Sequence, residues 1–281
     1  MALGTAACSR AAPPSQFPTA DDAIGRMRAT YACSRGVTGD AKLDYFGEHG
    51  RVRGSMLFVT SRPDRVRFDV ISPFGVAVST LTSDGNQFSL LDFTHKQFAF
   101  GPATECNVER FLRVPVPPFA LVSLLSGEAP VLVHEPAGAE LSWDAGAYSI
   151  SIRSRHGASE QIRLEPRPDD WLRPWNEQRV RVREVTVVQQ GVELYRAELE
   201  SFKEAHTALP RKDPDGIDPD VMPSGPACNA EIPRHVRIVS EASAQDVTIV
   251  QQEIAHNPPL TPGLFRQAPP AGVKVRLSSC E

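Results

Sequence analysis

Residues 51–100 read RVRGSMLFVTSRPDRVRFDVISPFGVAVSTLTSDGNQFSLLDFTHKQFAF, and this stretch decides the fold. Within it Arg65-Val66-Arg67-Phe68-Asp69-Val70 alternates strictly between charged and apolar side chains. That is the period of a strand with one buried face and one wet face. Residues 51–58 repeat the pattern, with Val52, Met56 and Phe58 on one side. Ser72-Pro73-Phe74-Gly75 reads as a turn and 76–82 as a further strand. Asp84-Gly85 is a hairpin signal leading to strands over 88–93 and 97–100. Short strands joined by tight turns specify an antiparallel meander, not a βαβ array.

The same grammar continues outward. Upstream, 19–35 reads as a helix, capped by Thr19 or Asp21, with Ile24, Met27 and Tyr31 on one face. Downstream, 104–113 reads as a short helix with Val108, Phe111 and Leu112 as its apolar side. Pro115, Pro117 and Pro118 break it. A second short helix, 119–125, ends at Gly127 in a C-terminal signal. Strands resume over 131–134, 140–143, 148–153 and 160–164, then pause for a Pro/Trp-rich loop at 165–176. A hairpin follows over 179–189 and 191–200. Its inward phase shifts from Val180 and Val182 to Val185 and Val187, which predicts a bulge. Residues 205–230 are a polar, proline-rich excursion. Strands over 232–240, 246–253 and 273–277 complete the chain. The expected architecture is mainly β: one strongly curved antiparallel sheet, an incomplete barrel of about eleven strands, with short helices over its concave face.

Composition agrees. The 281 residues carry 30 Lys and Arg against 34 Asp and Glu, a formal net charge of −4 with no basic excess for nucleic acid. Hydrophobic residues make up 41%, enough for a core. No run of 18 apolar residues exists, so no helical membrane span is expected.

Catalytic signatures are missing. The seven histidines (49, 95, 134, 156, 206, 235 and 256) form no HExxH or other close pair. There is no GxSxG elbow, GxGxxG or P-loop. Asp213, Asp215, Asp218 and Asp220 surround Gly216, but two prolines stiffen the loop and no glutamate closes it, so it reads as a solvated acidic loop, not a calcium site. The reading is a protein that is not an enzyme, with no metal or cofactor.

The five cysteines are Cys8, Cys33, Cys106, Cys228 and Cys280. No two have metal-ligand spacing. The last four suit two disulfides in an exported protein, with three possible pairings; four buried free thiols is the alternative. Cys228 with Cys280 would pin the C-terminus, leaving Cys33 with Cys106 to join the two helices. The opening Met1-Ala2-Leu3-Gly4-Thr5-Ala6-Ala7-Cys8 resembles a bacterial lipobox, with Cys8 as the lipid anchor. On this reading 1–18 are a truncated signal and flexible tether; the alternative is a ragged N-terminus. Residues 19–281 are one domain.

The order of motifs resembles the outer-membrane lipoprotein receptor family of LolB. It runs from the N-terminal helix through Gly54–Phe58 and 65–72 to Pro73-Phe74-Gly75. After the next helix come Pro115 to Pro118 and Leu124-Leu125-Ser126-Gly127. The family shows a YRLxLxxPLG strand and a PxPxxxLxxWLxG segment at similar spacing, with tryptophan often standing where Leu125 is. The end of the chain, with Phe265 and Pro270-Ala271-Gly272-Val273, looks more like the periplasmic carrier LolA. The resemblance covers about 20–254, with 205–230 as an apparent insertion.

The resemblance implies an apolar cavity that receives acyl chains of lipoproteins or lipids. For its lining we expect Met56, Phe58, Val66, Phe68, Val78, Phe88, Leu90, Phe98 and Phe100, and for its lid Phe111, Leu112, Leu121 and Leu125. Phe74, flanked by Pro73 and Gly75, is expected to contact the membrane. The implied partners are acylated cargo, a LolA-like periplasmic carrier and the inner leaflet of the outer membrane, with no nucleic acid. The implied location is the cell envelope. The rival expectation is an interaction lipoprotein of the same fold with a filled core.

Overall fold

The computed structural model describes residues 11–47, 50–72, 74–104, 106–107 and 116–279. A single curled sheet of fifteen strands dominates it and does not close into a barrel. The N-terminal half supplies β1 (Val37–Gly47), β2 (Gly50–Ser61), β3 (Arg65–Ile71), β4 (Ala77–Ser83), β5 (Gln87–Asp92) and β6 (Gln97–Pro102). The second half supplies β7 (His134–Asp144), β8 (Ala147–Ser154), β9 (Ala158–Pro166), β10 (Val180–Gln189) and β11 (Val192–Glu204). The last four are β12 (His206–Thr207), β13 (Glu231–Ser240), β14 (Gln245–His256) and β15 (Lys274–Leu277). The order across the sheet is β15-β6-β5-β4-β3-β2-β1-β14-β13-β11-β10-β9-β8-β7, with β12 beside β14. All pairs are antiparallel except β12 with β14 and β15 with β6. The sheet therefore has more strands than the eleven or so expected.

Strand β1 has no counterpart in the sequence reading. VTGDAKLDYFG lacks a clean period, yet it joins the two halves by pairing with β2 on one side and β14 on the other. Gly39 permits this. A Cβ there would lie 2.1 Å from the Glu253 carbonyl oxygen, next to the register shift between Gly39 and Ala41. The bulge expected in β10 falls between Val182 and Glu184.

Two helices fill the concave side among the described residues. Helix α1 (Ala20–Thr30) is shorter than the 19–35 expected and is capped by Thr19, whose hydroxyl accepts from the Asp22 N–H at 3.1 Å. Ala20, Ala23, Ile24 and Met27 are buried at helical spacing. Helix α2 (Pro118–Leu125) buries nearly every side chain. Gly127 follows it at φ +88°, where a Cβ would also press on Tyr31 and Pro233 at 3.0 Å. The helix expected over 104–113 lies mostly outside the described residues, although Cys106 and Asn107 are helical.

The cysteine pairing differs from expectation. Cys33 is bonded to Cys228, so neither Cys33–Cys106 nor Cys228–Cys280 forms. The chain leaving α1 comes back beside the 226–230 segment, which sequence distance does not reveal. Asn257 knits the same place: its amide donates to the carbonyls of Cys33 at 2.9 Å and Pro226 at 2.7 Å. Cys106 is also disulfide-bonded. Cys8 and Cys280 lie outside the described residues.

Residues 13–17 are not a free tether. Phe17 is buried and packs tilted against Tyr148 and edge-on against Trp175, at centroid distances of 4.8 and 6.0 Å. The Trp175 N–H donates to the Ser15 hydroxyl at 3.0 Å, and the Gln178 amide donates to the Ser15 carbonyl at 3.0 Å. The long 165–178 loop is the platform on which the N-terminal segment docks.

Candidate functional site

The sheet has two unlike ends. The turns β1–β2, β3–β4, β5–β6, β8–β9, β10–β11 and β13–β14 share one end, as the registers Phe46↔Arg51, Phe46↔Asp246, Ser55↔Ile71 and Ser79↔Asp92 require. At the other end, Cys33–Cys228 sits with ion pairs in which buried Glu231 and Asp170 meet partly exposed arginines. There the Arg181 guanidinium donates to both Glu231 oxygens at 2.7 and 2.9 Å, with Arg167 at 3.2 Å. Asp170, wholly buried, accepts from the Arg179 side chain at 2.7 and 2.8 Å and from its backbone N–H at 2.8 Å. The Arg179 guanidinium holds the Asp170 carboxyl down at about 2.

The turn-rich end is apolar at its surface. Phe74 is 91% exposed on the β3–β4 turn, and Phe46, Val76, Phe93, Phe119 and Val133 are also exposed there. Gly75 is exposed beside Phe74 at φ +77°, and Pro73 lies outside the described residues.

Sequence reasoning placed a cavity against β2–β6. Met56, Phe58, Val66 and Phe68 do face the concave side together, but they are packed into the same core cluster as Leu121 and Leu125 of α2. Leu90 packs against that cluster, and Phe88 is buried outside it. Phe98 and Phe100 stand on the opposite face. The four-residue turn between Asp92 and Gln97 pairs Leu90 with Ala99 and Leu91 with Phe98, so even positions on β5 oppose odd ones on β6. Val78 is half-buried at the β3–β4 register shift, one residue out of phase with Ser79, which opposes Val70. Phe111 and Leu112 lie outside the described residues.

On the outer face, the 260–269 segment straps over β4 and β5. Gln267 donates to the carbonyls of Thr80 and Ser89 at 2.9 and 3.0 Å. Phe98 and Phe100 line a gap of about 400 Å³ beneath Phe265.

The concave side opens elsewhere. A cleft of about 380 Å³ lies between the start of α2, the 130–133 segment and strands β8–β11. Its walls are mostly apolar: Phe119, Val131, Leu132, Val133, Val187 and Leu194. His156 and Gln189 reach it from the β8–β9 and β10–β11 turns, so it opens toward the end that carries Phe74. One acid lines it. Glu160 is 2% exposed and accepts the Leu132 N–H at 2.8 Å through Oε2. Burial pushes its carboxyl up to about 8. The sequence reading, with a strand over 131–134, misses this cleft: 131–133 run as a loop and β7 begins at His134. The available signal was Glu160 itself, which stands in the inward phase of β9 with Ile162 and Leu164.

Among the described residues no three His, Cys, Asp or Glu side chains cluster as metal ligands, and no helix is long and apolar enough to cross a membrane. In the acidic loop the Asp213 carboxylate instead accepts the N–H groups of Ile217 and Asp218 at 2.6 and 2.9 Å.

No family model matches the sequence, and no curated protein matches it. Solved structures do match its coordinates. A LolA superfamily protein from Nitrosomonas europaea aligns over 89% of this chain and 99% of its own, at TM-score 0.54 and 8% identity. The chain has a LolA/LolB-like fold. A DUF1329 family protein from Desulfovibrio piger aligns at TM-score 0.51 and 9% identity, over 86% and 97% of the two chains. A Vibrio parahaemolyticus domain provisionally assigned to outer membrane lipoprotein sorting aligns at 0.50 and 9%, over 86% and 95%. At these identities the LolA/LolB-like likeness concerns the fold.

Proposed function

We propose that this protein is a non-enzymatic acyl-chain binder of the bacterial cell envelope, LolB-like in delivering lipoprotein or lipid cargo to the outer membrane. The observation that carries the reading is the shared end: the apolar cleft opens where Phe74 and its apolar neighbours are exposed. An acyl chain gains about 0.8 kcal/mol per methylene removed from water, so an apolar cleft suffices to hold it and a bilayer suffices to take it back. Phe74 on a tight turn is suited to enter the interface first, because an aromatic ring tolerates the headgroup boundary. Cys8, upstream of the docked 13–17 segment, would be the lipid anchor, and a LolA-like periplasmic carrier would supply the cargo. Phe265 and Pro270-Ala271-Gly272-Val273 carry the LolA-like part of the sequence resemblance.

Native mass spectrometry of the protein purified from a bacterial envelope, followed by lipid extraction, tests this. A displaceable acylated ligand is the expected result. Absence of any ligand, together with no binding of a sixteen-carbon acyl probe, overturns it. That outcome would favour the second reading, an interaction module without cargo, for which the close-packed cluster of Met56, Phe58, Val66 and Phe68 under α2 speaks.

A further inference from the structure

Glu160 is anomalous within its own strand. Its neighbours in phase, Ile162 and Leu164, are apolar and buried, as an inward strand face requires. A carboxyl at such a position costs stability unless both oxygens are used. Oε2 is used, by the Leu132 N–H, but Oε1 is buried with no hydrogen-bond partner among the described residues. A structural role would need one acceptor only, which an uncharged amide supplies without a titrating group in an apolar wall. The surplus oxygen lines the 380 Å³ cleft. That volume lies within the roughly 300–1,000 Å³ of small-molecule sites, which typically pair apolar walls with a few fixed polar groups.

We propose that Oε1 of Glu160 donates a hydrogen bond to the ester or amide carbonyl of an acyl chain seated in this cleft. The inference rests on the acyl-binding reading and adds the polar anchor that selects an acyl chain over a plain hydrocarbon. The donor is the neutral acid. Among the described residues the other titratable groups lining the cleft are His156, exposed at the rim, and Tyr195, and neither shifts the carboxyl. Desolvation therefore keeps the proton on at neutral pH. A carbonyl is the complementary ligand because the protonated Oε1 is a buried donor without a partner, and no charged group stands beside it among the described residues. A free cation would have to be desolvated against one carboxylate, and an anion would meet no Lys or Arg among the described lining residues.

The test compares two probes of equal chain length, 1-monopalmitoylglycerol and its ether analogue 1-O-hexadecylglycerol, titrated calorimetrically below their micellar concentrations. They differ in the carbonyl alone. The wild-type protein is expected to bind the ester about tenfold more tightly at pH 6.5, the worth of one buried hydrogen bond. Glu160→Leu should erase the preference for ester over ether, whatever the loss of the Leu132 bond does to the affinity for both. Glu160→Gln, whose amide still donates, should retain much of it. At pH 9.5 the wild-type preference should vanish and that of Glu160→Gln persist. Equal binding of ester and ether by the wild type overturns the anchor and leaves acyl binding intact. Binding of neither probe overturns the acyl-binding reading itself.

Discussion

The backbone N–H of Leu132 donates to the Glu160 carboxyl across 2.8 Å, tying the segment that leaves α2 to the inward face of β9. This bond fixes one wall of the apolar cleft. It also makes the cleft's geometry sensitive to the charge of one acid.

Stability should fall as pH rises through the neutral range. The folded value of Glu160 is about 8, above the usual 4.5. The folded protein therefore holds a proton that the unfolded chain has released between these values, and stability is lost as pH rises from about 4.5 to about 8. The loss is on the order of a few kcal/mol. Glu160→Gln should flatten this slope in urea denaturation at pH 5, 6.5 and 8. An unchanged slope would show that Glu160 is not the titrating group.

The opposite sign holds at the stapled end. The Arg179 guanidinium keeps Asp170 ionised down to about pH 2, against an ordinary 3.8. Its contribution is present above the ordinary value and is lost as pH falls through about 2. Asp170→Asn should cost about 1–2 kcal/mol at pH 7, because Arg179 and Arg173 lose their charged partner but are partly exposed and keep water. The difference from wild type should shrink toward pH 2 in thermal melts.

The disulfide between Cys33 and Cys228 spans 195 residues of sequence and joins the start of β1 to the start of β13. Replacing both by serine should lower stability by about 3–5 kcal/mol. Peptide mapping without reduction should recover a Cys33–Cys228 cross-link and neither Cys33–Cys106 nor Cys228–Cys280.

Phe74→Glu should leave the melting temperature unchanged, since the side chain is 91% exposed, and should weaken flotation with anionic phospholipid vesicles about tenfold. Equal flotation of the two proteins would remove Phe74 from the membrane-contact role.

Filling the cleft should block the ligand without unfolding the sheet. Ala158 lines the cleft and is half-buried at the start of β9. Ala158→Phe should reduce acyl-probe affinity at least tenfold while circular dichroism stays unchanged. Met56→Ala, by contrast, should destabilise by about 2–5 kcal/mol and leave probe affinity unchanged, because Met56 belongs to the packed core.

By itself the sequence determined the parts whose signal is local. Alternation in Arg65–Ile71 specified a one-faced strand, a cap at Thr19 or Asp21 with the 24/27 spacing specified the existence and buried face of α1 but not its end, Gly127 specified the end of α2, and the slipped valines specified the β10 bulge. Each follows from side chains within a turn or a pleat of one another. The tertiary structure alone decided the rest. Strand β1 has weak periodicity and is held by two neighbours remote in sequence. Phe98 and Phe100 changed face because an even-length turn inverts parity, which composition does not record. The cysteine pairing and the cleft depend on which surfaces remain once α1 and α2 have packed. Packing filled the face where the bulky residues lie and left space at Glu160, because large apolar side chains close voids around themselves, whereas a buried carboxyl with one free oxygen has none of their contacts to close with.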